Sequence, residues 1–236
     1  MMRRDDVDRF YGLLDDLAKA VDGPLRLGDC TGHMDWPDRG VYVFFAPDEY
    51  RASGEQRRVT RIGTHAVSEG GGTSLWNRLR AHRGAMRGTY EGGGNHRGSV
   101  VRERIGEAMI EREGLHDEYP HRGEGSSAKR DRRLEELEME RRVSGYIREL
   151  PFLWLRVDDE PSGESQRAYI ERNVIALRSN DDRTPVDPRS ADWLGADSTS
   201  EEMRKSGLWN VDHVGEEYDP AFFATLSEHV ESTESV

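Results

Sequence analysis

Gly40-Val41-Tyr42, then Arg61-Ile62-Gly63, then Arg78-Leu79-Arg80-Ala81-His82 form the stretch on which the reading of this chain turns. The run Gly40–Phe45 is β-branched and aromatic, which favours a strand. A second strand is predicted over Arg57–Thr64, with Arg61, Gly63 and His65 pointing one way and Thr60, Ile62 and Thr64 the other. The glycine-rich turn 69–72 leads to Thr73 and Ser74, either of which can cap a helix beginning at Leu75. On that helix Leu75 and Leu79 mark the buried side. At about 100° per residue Arg78 and His82 fall beside them and Arg80 falls opposite. The arginine and the histidine therefore border a cleft, a position a soluble protein seldom gives to cations without an anion to receive.

Working outward, Phe10, Leu13, Leu14 and Leu17 place an amphipathic helix over Asp5–Val21. Ser99 caps a helix predicted from Val100 to about Arg112, with Val101, Ile105, Ala108 and Met109 inward. The loop Gly92–Gly98 ahead of it carries His96 and Arg97, and backbone N–H groups converging at a helix start suit an anion. Lys129–Gly145 is densely charged and is expected to be an exposed helix, an inserted arm. Pro151–Val157 is a third strand and Ser162–Arg178 a third core helix, on which Glu171 projects between two apolar stripes. A carboxylate there is costly unless it is paired or ligates a metal, and Arg167, one turn earlier, offers an ordinary ion pair. Trp193, Trp209 and Phe222 read as packing for a C-terminal extension that ends in a short helix over Phe222–Leu226.

Composition narrows the function classes. Cys30 is the only cysteine, which excludes an intrachain disulfide and a cysteine zinc cluster. The charged start and the lack of any apolar run near roughly 18 residues argue against a signal peptide or a membrane partner, so a cytoplasmic protein is expected. A formal net charge of -12 opposes binding to a polyphosphate, but distribution matters more than the sum. Arg78, Arg80, Arg83, Arg87, Arg97, Arg102 and Arg104 form a basic island with only Glu91 and Glu103 against them. Arginine's planar fork suits phosphate.

The order of strand with Gly-Val-Tyr, strand with Ile-Gly, helix with Arg-x-x-x-His, second helix, third strand and helix with a glutamate resembles the GIY-YIG nuclease superfamily. The resemblance covers roughly Gly40–Asn180. It implies an α/β (α+β) fold: a small three-stranded mixed or antiparallel sheet flanked by helices, with helical extensions at both ends. The implied organisation is an N-terminal extension over 1–36, a nuclease-like domain over 37–180 with a charged helical insertion at about 115–148, and a C-terminal extension over 181–236.

By the same resemblance Tyr42, Arg78, His82 and Glu171 are the catalytic residues, and Glu171 holds a divalent metal, Mg²⁺ or Mn²⁺. Arg61, His65, His96 and Asn180 are supporting candidates, and Arg80, Arg83, Arg87, Arg97 and Arg102 are candidates for binding nucleic acid. The implied activity is metal-dependent hydrolysis of phosphodiester bonds, in DNA more than RNA, by a restriction-like or a repair enzyme. One residue departs from the pattern: Arg61 stands where the second motif has tyrosine. Arginine does not give up its proton, so Arg61 can bind phosphate but cannot serve as a base. Tyr42 and His82 are then competing bases. A noncatalytic nucleic-acid-binding domain would explain Arg61, and a structural or partner-binding protein would explain the acidity. Oligomeric state is not legible.

Overall fold

The computed structural model describes residues 2–54 and 56–236. In chain order the elements are α1 (Met2–Ala20), β1 (Leu25–Arg26), β2 (Gly40–Tyr50), β3 (Arg57–Gly63), α2 (Leu75–Arg83), α3 (Val100–Glu113), α4 (Arg130–Glu135), α5 (Leu137–Glu149), β4 (Pro151–Arg156), α6 (Gln166–Arg178), α7 (Glu201–Ser206) and α8 (Phe222–Ser232). The strands form one antiparallel sheet in the order β1-β4-β2-β3, so the architecture is α+β. The sheet has four strands where three were expected, because the two-residue β1 adds to the outer side of β4.

Alternation along β2 splits the core. Val41 and Val43 join Leu153, Leu155, Ile170, Val174 and Phe10 on one face, which α1, α6 and α8 cover. Tyr42 and Phe44 lie on the other, with Phe152, Trp154, Trp36 and His82. The β2–β3 register slips between Phe44 and Phe45, which pair with Arg61 and Val59 and leave Thr60 as the extra residue. Bulges of this kind bend a strand and re-aim its side chains. The C-terminal segment closes the edge of β3: the Trp209 N–H donates to Thr60 O at 2.7 Å, and the Asn210 amide accepts from Ile62 N and donates to Ile62 O. An edge strand left bare would template pairing with other chains.

Caps set the helix starts. Ser74, Ser99 and Ser165 each accept a backbone N–H of the first turn of α2, α3 and α6, and α6 begins at this cap, later than the predicted Ser162.

The largest correction concerns the charged stretch. It is not an exposed arm, because α5 buries Met139, Glu140, Val143, Ser144 and Ile147. The Glu140 carboxylate receives His96 Nδ1 at 3.0 Å, Arg122 at 2.9 Å and Arg102 at 2.6 Å. Burial raises the Glu140 pKa, but the His96 hydrogen bond and the charges of Arg102 and Arg122 outweigh it and hold the carboxyl far below its ordinary range. A buried carboxylate met by several donors is viable where a lone one is not, and its partners lie far away in sequence.

Glu140→Gln is expected to cost about 3 kcal/mol or more at pH 7, because Arg102 and Arg122 lose their buried counter-charge. The depressed pKa makes this stabilisation complete above the unfolded value of 4.5 and lost as pH falls below it. The gap in urea midpoint between wild type and variant should therefore narrow on acidification. An equal gap at pH 7 and pH 3.5 would contradict it.

Candidate active site at the end of the edge strand

Tyr42 stands near the start of β2, opposite Trp154 on one side and Gly63 on the other. A β-carbon at Gly63 would lie 2.3 Å from the Tyr42 hydroxyl, so the phenol occupies space that only a glycine leaves. The hydroxyl reaches across to His82 Nε2 at 2.8 Å. His82 Nδ1 meets Ser99 Oγ at 2.7 Å, so the serine that caps α3 also fixes the imidazole. Tyr42 and His82 are fully buried. Burial first, then the charges of Arg78, Arg61 and Arg102, push the His82 pKa well below normal, leaving the ring neutral at pH 7.

Arg78 and Arg61 flank this pair, both half-buried. Arg61 donates to Trp209 O at 2.7 Å, which ties the strand-borne cation to the C-terminal segment. Arg78 makes no side-chain hydrogen bond or ion pair among the described residues, and the Nε atoms of both arginines are buried without a partner. Unpaired buried donors on cations call for an acceptor.

Glu171 comes from α6, on the opposite face of the sheet from Tyr42. It reaches the chain just past the end of β3, where its Oε1 accepts the Thr64 N–H at 3.1 Å. Burial raises its pKa, while Arg61, the Thr64 N–H, His213 and Arg78 oppose the rise. Both arginines thus lie within electrostatic reach of Glu171 and of His82. The ion pair with Arg167 does not form, since Arg167 is committed to Asp159 and to the carbonyls of His65 and Ala66. Among the described residues no cluster of three or more His, Cys, Asp or Glu side chains could hold a metal. A divalent ion that keeps most of its waters needs only one or two carboxylates, and Glu171 Oε2 has no hydrogen-bond partner among the described residues. The donor set fits such an ion.

Other predicted residues sit elsewhere or are already engaged. His65 donates through Nδ1 to Thr73 O, and burial, with the cations Arg167, Arg78 and Arg39, lowers its pKa to about 4. His96 is buried against Glu140 and presents no imidazole to a ligand in the glycine loop. Asn180 accepts from Arg3 and Val186 at the far end of α6 and does not join the cleft. Of the expected nucleic-acid contacts, Arg102 is fully buried on Glu140, Arg97 forms a two-pronged pair with Glu136, and Arg83 donates to Cys30 O. Arg80 and Arg87 remain exposed, without an ion pair among the described residues. The residues missed by the sequence reading are Ser99, Trp209, Asn210 and His213. Ser99 carried a signal, but only as a cap.

Fold and side-chain placement together define an α+β protein with half-buried arginines at the tip of its edge strand. The family model for the GIY-YIG domain matches residues 1–236, and the chain belongs to that family. The match includes the segments before and after Gly40–Asn180. GIY-YIG proteins are generally nucleases and typically use divalent metals. No curated protein and no solved structure matches the chain. Among the described residues no helix is long and apolar enough to cross a membrane.

Gly63→Ala is expected to destabilise the protein by roughly 1–3 kcal/mol through overpacking against the Tyr42 ring. In a Tyr42→Leu background the same change should cost distinctly less, because the clashing atoms are gone. Chemical denaturation of the four proteins measures the coupling, and additive costs would show that the ring can move aside freely.

Proposed function

We propose that the protein is a metal-dependent endonuclease that hydrolyses phosphodiester bonds in DNA. The observation that carries this reading is the pair of half-buried guanidinium groups, Arg61 and Arg78, each within electrostatic reach of both Glu171 and His82, with Arg78 making no side-chain hydrogen bond or ion pair among the described residues. Such a pair suits a phosphodiester, whose non-bridging oxygens gain charge as water attacks phosphorus and the 3′ oxygen leaves. Preorganised cations in a partly dry cleft stabilise that charge far more than cations in water. A divalent ion held by Glu171 would supply positive charge to the leaving oxygen.

On the attacking side, Arg61 cannot accept a proton. Tyr42 and His82 remain, already hydrogen-bonded to each other. Once a bound phosphate offsets the charges of Arg78 and Arg61, which otherwise disfavour the imidazolium, neutral His82 can take the phenolic proton as Tyr42 takes one from water, so the two groups act together and need not compete. Both are buried, which requires the substrate to carry the water into the cleft. DNA would be gripped by few surface cations, since Arg83, Arg97 and Arg102 are engaged internally.

A second reading, a noncatalytic nucleic-acid-binding domain, is favoured by Arg61 alone. Incubating supercoiled plasmid and branched DNA with the protein, with Mg²⁺ or Mn²⁺ and with chelator, separates the two. The expected result is metal-dependent cutting that falls about a hundredfold or more in Arg78→Ala and in Glu171→Gln. Salt-sensitive binding without cutting under any condition would favour the second reading, and cutting unaffected by either substitution would remove the cleft from consideration.

A further inference from the structure

His213 lies outside every motif of the family resemblance, yet contacts on two sides bring its loop toward the place where Thr64 meets Glu171. From one side the C-terminal segment runs along the edge of β3, with Trp209 bonded to Thr60 and Asn210 to Ile62. The chain advances in the direction of Thr64, whose N–H holds Glu171. From the other side Arg172, the neighbour of Glu171 on α6, pairs with Glu216, and Glu216 accepts from His213 Nδ1 at 2.8 Å. The Glu216 carbonyl is in turn held by Arg183. The His213 backbone takes the left-handed conformation, φ 64°, which non-glycine residues adopt mainly where surroundings enforce it.

The consequence is chemical. With Nδ1–H donated to a carboxylate, Nε2 carries the free lone pair, and it makes no hydrogen bond among the described residues. A carboxylate that orients an imidazole and makes it more basic is the usual support behind a metal-ligating histidine. We propose that His213 Nε2 is a second protein ligand, with Glu171, for a divalent transition-metal ion, and that Glu216 is the residue positioning it. This rests on the reading of Glu171 as a metal-holding carboxylate. An imidazole ligand favours transition ions over Mg²⁺, so His213 sets which ion the site prefers.

Co²⁺ and Mg²⁺ binding to the full chain, followed by calorimetry and for Co²⁺ by its visible absorption, tests this without reference to cutting. His213→Asn, which tolerates the left-handed backbone, is expected to weaken Co²⁺ about tenfold or more and change its spectrum, with Mg²⁺ affinity unaltered. Glu216→Gln should give a smaller loss of Co²⁺ affinity with the imidazole still present, and it carries the test if His213→Asn fails to fold. Glu171→Gln should weaken both ions. Equal Co²⁺ affinity and spectrum in wild type and both His213→Asn and Glu216→Gln, with loss only in Glu171→Gln, would overturn the role of His213 and leave Glu171 as sole ligand. No binding of either ion to wild type would defeat the metal reading of Glu171 and this proposal with it.

Discussion

A phenol ring fills the volume that a side chain at position 63 would take, and the site hangs from that fit. Because Gly63 has no β-carbon, Tyr42 can extend across β3 and place its hydroxyl on His82. His82 is held from behind by Ser99, and Arg102, in the first turn of α3, donates to the His82 carbonyl and to Glu140 on α5. One chain of hydrogen bonds thus joins the sheet to three helices, and each member is buried, where a lost partner is expensive and a satisfied network is rigid. This chain orients the imidazole, while burial and the nearby arginine charges keep it neutral.

Arginine does two opposed jobs in the molecule. Arg58, Arg102 and Arg167 are fully buried, each spread over a carboxylate and one or more backbone carbonyls. The guanidinium fork allows this, since its several donors can satisfy acceptors from different elements at once, which a lysine ammonium does less well. The acidic balance of the chain supplies matching carboxylates: Glu49, Glu140 and Asp159 serve these three in turn. Against that background an arginine without partners stands out. Among the described residues Arg78 is one, half-buried beside His82; Arg80 and Arg87 are others, on the surface. The basic island of the sequence is therefore mostly internal stitching, and only its remainder is open to an anion.

That division explains what could be read from the letters. Local rules placed β2, β3, α2 and α3, because period-two alternation, serine caps and apolar spacing act within a few residues. They also put His82 beside Leu75 and Leu79, although it is buried with them and does not border an opening. Pairings over long separations were illegible: Glu140 is stabilised by residues 18 to 44 positions away, so a helix with a buried ionic face looked merely solvated. His96 and Arg97 looked like ligand-binding loop residues for the same reason, their carboxylate partners lying on a helix expected to be elsewhere. Nor could alternation reveal the bulge at Thr60, or that Glu171 would come to the tip of β3 from the far face of the sheet.

The replacement of a tyrosine by Arg61 gains a physical account from the C-terminal segment. A phenol at the end of an edge strand could both donate and accept a proton, whereas a guanidinium brings a permanent charge that needs a fixed acceptor to hold its direction. The Trp209 carbonyl is that acceptor, and it is available because Trp209 and Asn210 line the edge of β3. Trp209 is itself locked by complete burial and by Trp193, their rings 5.1 Å apart. The segment beyond Asn180 is thus part of what fixes Arg61, which accords with a family match that spans the whole chain. A fixed charge at the end of β3 favours an anion there and removes one proton acceptor. In the proposed reaction that leaves proton uptake to Tyr42 and His82, the two groups that Gly63 brings together.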